Sequence, residues 1–122
     1  MIKKKKPKVK KPKYDKKIAD KIFAEIIRTP GKCHRCNSEY RIQCAHIISR
    51  TYYTVRWSLD NAIPLCSGCH VFFTYHPLEW EEYIIGKFGE EHWLDLKKRA
   101  RTYEKIDYKA IIERLEGQQK LF

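Results

Sequence analysis

The apolar residues of this chain recur with different periods in different stretches. Over residues 15–28, DKKIADKIFAEIIR, the residues Ile18, Ile22, Phe23, Ile26 and Ile27 share one stripe of a helix. Pro30 and Gly31 end that helix. From 40 to 48, YRIQCAHII, apolar and polar residues roughly alternate, which predicts a strand. SRTYYTVRWSLDN follows neither period; it is polar, basic and aromatic, and reads as an irregular loop. AIPLC reads as a short second strand, and a helix is expected to begin near residues 67–69 and carry His70, Val71, Phe72 and Phe73. Pro77 suits the first turn of a further helix, PLEWEEYIIGKF, stopped by Gly89. EEHWLDLKKRAR and DYKAIIERLEGQQ read as two more, the first with acids at its start and bases at its end, matching the helix dipole. No internal repeat is present. The order predicts a small α+β fold.

Charge changes the picture at the N-terminus. Residues 1–21 hold eleven lysines against two aspartates, a balance of +9 in a chain of net charge +11. Such a run repels itself and buries nothing. Residues 1–14 are therefore expected to be a disordered basic tail and 15–122 a single domain, with a core at 33–75 and a helical extension at 77–118. The tail is either a solubilising arm or a polyanion-binding arm, and its composition favours nucleic acid. A nuclear import signal has the same composition. No apolar run approaches the length of a membrane-spanning helix, and the N-terminus has no apolar segment of a secretory signal. A reducing, cytoplasmic location is the expectation.

Cysteine usage adds chemistry. An apolar content of 43% in 122 residues supports only a small core, and small cores usually need a staple. Cys33 and Cys36 form one CxxC pair and Cys66 and Cys69 another, with 29 residues between the pairs. Four thiolates so arranged suit a tetrahedral structural Zn²⁺. Ordinary core cysteines are the plain alternative, and paired spacing argues against it. A redox role is weak, because neither pair opens a thioredoxin-like βαβ unit. Cys44 reads as a buried strand thiol, and His34 is expected outside a coordination shell already filled by sulfur.

His46, Asn61 and His70 each have plain readings: a core or surface imidazole, or a turn amide. Their combination is less plain, because metal joining the two pairs would fix the strand bearing His46 beside the helix bearing His70. The order CHRC…AHIISR…LDN…CSGCH resembles the HNH, or ββα-metal, endonuclease superfamily in its branch with a four-cysteine structural zinc, over roughly residues 33–75. Beyond it, RTYYTVRWSLDNAIPLCSGCHVFF and KFGEEHWLDLKKRA resemble the phage lambda NinG (Rap) recombination proteins, which act on branched DNA. The knuckle beside a nuclease core also resembles the Holliday-junction resolvase of phage T4.

The resemblance implies roles. His46 takes the place of the general base, with its second ring nitrogen held by a backbone carbonyl of the loop. Asn61 matches the residue that ties that loop, and His70 matches the helical ligand of a catalytic Mg²⁺ or Mn²⁺. One departure stands out. Many HNH nucleases carry an aspartate ligand immediately before the base, and here the position is Ala45. Asp60, Gln43 and His76 are the candidate replacements, Asp60 foremost, although LDN reads equally well as a turn. His92 is expected to be peripheral.

Arg50 and Arg56 are expected to hold phosphates, and Tyr52, Tyr53 and Trp57 either stack on bases or cover the core. Lys97, Lys98 and Arg99 form a second candidate DNA surface, or a solvated helix end. The function implied is a metal-dependent DNA endonuclease of phage recombination, acting on branched or single-strand-containing DNA (Holliday junctions or D-loops) inside a bacterial host cell. The alternative is an inactive zinc-stabilised nucleic-acid-binding module, favoured by Ala45. A zinc-stapled adaptor leaves the tail and the histidines unexplained. Resolving a junction needs two cuts and hence a homodimer; Ile111, Ile112, Leu115, Leu121 and Phe122 could serve its interface or close the core.

Overall fold

A computed structural model describes residues 14–122; the basic tail, apart from Tyr14, lies outside them. Two antiparallel strands, β1 (Ile42–His46) and β2 (Ala62–Cys66), form the sheet, in a register that pairs Cys44 with Pro64 and His46 with Ala62. Six α-helices surround it among the described residues: α1 (Lys16–Arg28), α2 (Tyr53–Arg56), α3 (Ser67–Tyr75), α4 (Pro77–Phe88), α5 (Glu90–Ala100) and α6 (Tyr108–Gln119). The architecture is a small α+β fold. None of these helices is long and apolar enough to cross a membrane.

Local signals set the boundaries. Asp15 caps α1 by accepting a hydrogen bond from the Ile18 amide at 2.9 Å, which satisfies one of the free donors of the first turn. Pro77 opens α4, where its missing N–H costs nothing. Gly89 separates α4 from α5 with φ of 94°, a conformation that favours glycine. The first strand is shorter than the alternation suggests. Arg41, at φ of 47°, turns the chain just before Ile42 and ends the extended run. The stretch expected as an irregular loop contains the single turn of α2 and a 3₁₀ turn over Leu59–Asn61.

The sheet separates two apolar clusters. On one face Ala45, Ile63 and Leu65 pack with Phe73 of α3, Ile84 of α4 and Leu96 of α5. On the other, Ala62 and Trp57 pack with Ala19, Phe23, Ile26 and Ile27 of α1 and with Ile112 and Leu115 of α6. Alternation along the strands sends the neighbours Cys44 and Ala45, and Ala62 and Ile63, to opposite clusters. Ile112 and Leu115 are thus consumed in closing the core, whereas Leu121 and Phe122 are 84% and 68% exposed.

Candidate metal centre and histidine cleft

The four knuckle cysteines converge. Their sulfurs all lie within 4.8 Å of one another, and Cys36 Sγ is 3.6 Å from Cys66 Sγ. Zn–S bonds of about 2.3 Å in a tetrahedron require sulfurs about 3.8 Å apart, so the cluster is close to the size of a zinc shell. The second amide of each pair points at the first sulfur: Cys36 N to Cys33 Sγ and Cys69 N to Cys66 Sγ, both at 3.5 Å. The second of these is the cap of α3, so the helix N-terminus faces the thiolates. Burial raises the Cys33 thiol, but backbone donors from Cys36, Cys66 and Arg35 bring it down to about 6. Arg35 lays its guanidinium over the Phe72 ring and donates to Cys69 Sγ at 3.8 Å, placing a cation beside a cluster that would carry net negative charge. These cysteines can hold a metal ion such as zinc. The His34 ring is engaged by Tyr83 and stands outside the cluster. Cys44 is partly buried, not fully, and burial pushes its thiol up to about 12.

The two cleft histidines stand in one hollow. His46 ends β1 and stacks on Phe23 of α1, with ring centroids 5.2 Å apart. Its Nε2 donates to the Arg56 carbonyl at 2.8 Å, which fixes the tautomer and leaves Nδ1 without a partner among the described residues. Burial holds its pKa below the usual value, with Arg50 and Arg56 adding to the effect and the Arg56 carbonyl opposing it. His70, on α3, donates from Nδ1 to Gln43 Oε1 at 2.7 Å, leaving Nε2 unpartnered in the same sense. Burial, then Arg50, lowers its pKa as well. Both shifts favour the neutral imidazole. They line an open cleft of about 1050 Å³ between α1, β1 and α3, and a smaller hollow of about 250 Å³ that Ala45 also lines.

Asn61 is fully buried and holds the intervening segment at three points. Its Oδ1 accepts from Ile48 N at 2.8 Å, and Nδ2 donates to the carbonyls of Ile48 and Val55, each at 3.0 Å. It is a positioning residue, sealed from any substrate. Asn61→Ala leaves those backbone groups unsatisfied and is expected to cost about 2–4 kcal/mol in urea unfolding.

Several assignments from the sequence change. Arg56 is 8% exposed, pairs with Asp20 through Nε at 2.9 Å and Nη2 at 2.7 Å, and donates to the Arg50 carbonyl, so three of its five N–H donors are committed and its burial closes it to a phosphate. Arg99 is held by Asp60 and by Asp95, and reaches Ser58 as well. The Asp60 carboxylate is correspondingly committed to Arg99 and Ser58, outside the histidine cleft, and is not a ligand beside His70. His76 turns onto Phe72, donating from Nδ1 to its carbonyl at 2.7 Å. Gln43 reaches His70 itself and orients it. Lys97 lies over Trp93 on α5 and Lys98 is exposed there; neither lines the cleft. His92, on α5, donates to the Asp60 carbonyl, away from the cleft. Trp57 is core, Tyr53 is half-buried and Tyr52 is 47% exposed. Arg50 alone of the expected phosphate-binding arginines lines the cleft.

Asp20 was not singled out by sequence, because a carboxylate on the polar side of a helix carries no signal of its own. It receives Arg56 and the Trp57 indole at 2.8 Å, and Arg56 in turn presents the carbonyl that holds His46. Burial raises its pKa, but these donors bring it below the usual carboxylate range. Asp20→Asn is expected to destabilise the fold by about 1–3 kcal/mol. It also removes a negative charge that raises the His46 pKa, so NMR titration of His46 should move further down. A loss of packing alone would expose His46 and move it up.

Compared with protein families, curated proteins and solved structures, the chain matches none.

Proposed function

We propose that the protein is a metal-dependent DNA endonuclease of the ββα-metal kind, hydrolysing phosphodiesters in branched recombination intermediates. The observation that carries the reading is the pair His46 and His70, each with one ring nitrogen fixed and the other free, lining one cleft with Arg50. The chain order β1, β2, α3 around that pair agrees with it.

His46 Nδ1 takes the proton from the attacking water. The Arg56 carbonyl, bonded to Nε2–H, keeps Nδ1 in its basic form and stabilises the imidazolium that follows. Asn61 keeps that carbonyl in place through the loop. Arg50 binds the phosphate beside the cut. For a divalent ion the residues offer one anchor, His70 Nε2, since among the described residues Asp20 is the only carboxylate lining the cleft and is committed to Arg56. Substrate phosphate and water would complete the shell. A lone imidazole suits Mn²⁺ or a later transition metal better than Mg²⁺, which prefers oxygen. When bound, such an ion supplies Lewis-acid neutralisation of charge on the phosphate and leaving oxygen. A homodimer would supply the second cut.

The test is cleavage of linear, single-stranded, flap and four-way DNA with Mg²⁺, Mn²⁺, Ni²⁺ or Zn²⁺. Cutting of branched substrates supports the reading. Binding without cutting on every substrate and metal leaves the nucleic-acid-binding module instead, which Ala45 favours.

A further inference from the structure

We propose that the outward face of α1 is a track for the phosphates of one DNA strand, delivering that strand to His46 and His70; the delivery, though not the track, rests on the endonuclease reading. Lys17, Lys21 and Arg28 line the same cleft as the two histidines. Their spacing of four and seven residues puts them on one side of the helix, opposite the side that buries Ala19, Ile26 and Ile27. The stripe is ~16 Å long at 1.5 Å per residue, against ~3.4 Å of axial rise per phosphate in one strand, so three cations can each meet a different phosphate. Ala24 lies between them and also lines the cleft, which keeps the middle of the track low enough for a backbone to approach.

The charge there is unspent. Lys17, Lys21, Arg28 and Arg50 are all exposed, and none makes an ion pair among the described residues. The one acid in the lining, Asp20, is neutralised by Arg56. Arg50 stands with them from the loop after β1 and lines the same cleft as the two histidines. On α5, by contrast, Arg99 is occupied by Asp60 and Asp95. Among the described residues, three of the four unpaired cations that line the cleft are therefore on α1, outside the strand–strand–helix unit that carries the histidines.

The test uses the full chain with Lys17→Gln, Lys21→Gln and Arg28→Gln together. All three residues are exposed, so zinc content and thermal unfolding should match the parent. Fluorescence anisotropy with labelled single-stranded and duplex DNA over a salt series gives the slope of log affinity against log salt. The slope should flatten by about two to three, since each phosphate contact contributes ~0.7–0.9, and binding should weaken at least tenfold. A matched loss of charge elsewhere, Lys87→Gln, Lys109→Gln and Lys120→Gln, should leave the slope near that of the parent. The basic tail is common to all these chains and cancels in the comparison. An unchanged slope in the α1 variant, or an equal loss in the control, overturns the track. A parent chain that binds through α1 and cuts nothing overturns the endonuclease and leaves the track standing. Cutting that survives with the parent's salt slope in the α1 variant does the reverse.

Discussion

Stripping metal from the zinc-loaded protein is expected to unfold it. Structural zinc contributes ~10–16 kcal/mol in small zinc-folded peptides at neutral pH, against a total stability of ~5–15 kcal/mol for a typical domain. The core here cannot absorb that loss, because the cluster itself contains Cys33, Cys66 and Cys69 as buried members packed with Phe73 and Leu65. Without the ion, four thiols within 4.8 Å of one another would have to share protons in a largely buried site. Elemental analysis should find one zinc per chain, and a chelator should abolish the helical circular dichroism signal with the same dependence as zinc release. Cys66→Ser should fail to retain zinc and should purify unfolded. Cys44→Ser is the control, since its thiol lies outside the cluster, and it should keep both zinc and fold. Zinc-free protein with an unchanged spectrum and melting point would show that the cysteines are merely neighbours.

Replacing His46 should have the largest effect on cutting. Loss of a positioned general base typically costs 10²–10⁴-fold in rate. His46→Ala removes the base and also the stacking on Phe23; His46→Gln keeps an amide able to donate to the Arg56 carbonyl and so isolates the chemistry. Both should bind DNA with the parent's affinity, and both should cut at least ~100-fold more slowly. The pH dependence has a definite sign. His46 acts as the neutral base, so the rate falls as pH drops through its pKa, and burial has moved that pKa below the ordinary value of ~6.5. The acid limb should therefore lie below pH ~6.5 and be absent from both variants. Parent-like cutting by His46→Gln would remove His46 from the mechanism.

The secondary structure was readable because its signals are local. The apolar stripe of α1, the proline at the start of α4 and the glycine before α5 each act within a turn or two. The four-cysteine cluster was readable because two CxxC pairs carry their geometry in their spacing. What could not be read is which charges find each other. Arg56 and Arg99 looked like phosphate ligands in a basic loop and a basic helix end, yet Asp20 lies 36 positions from Arg56 and Asp60 lies 39 from Arg99. Such partners are chosen by tertiary packing, and no period or motif announces them. The same reason hid the basic side of α1. Two of its lysines were counted only in the N-terminal charge balance, and only the placement of the helix against β1 and α3 puts them and Arg28 in one cleft with the histidines. The pairing of His70 with Gln43 was equally invisible, since it depends on α3 lying back across the strand.

The seating of α1 has a consequence for when the molecule becomes complete. α1 is synthesised before both strands, but its apolar side is closed by α6, and Gln119 bonds Glu25 across 94 positions. Contacts of that separation are slow to form and depend on all the intervening elements having been made. The strand–strand–helix unit and its cysteine cluster span a much shorter stretch and can assemble earlier. A chain still on the ribosome could thus hold its two imidazoles in register while the wall opposite them is missing, and the cleft would close only once α6 has been released to dock.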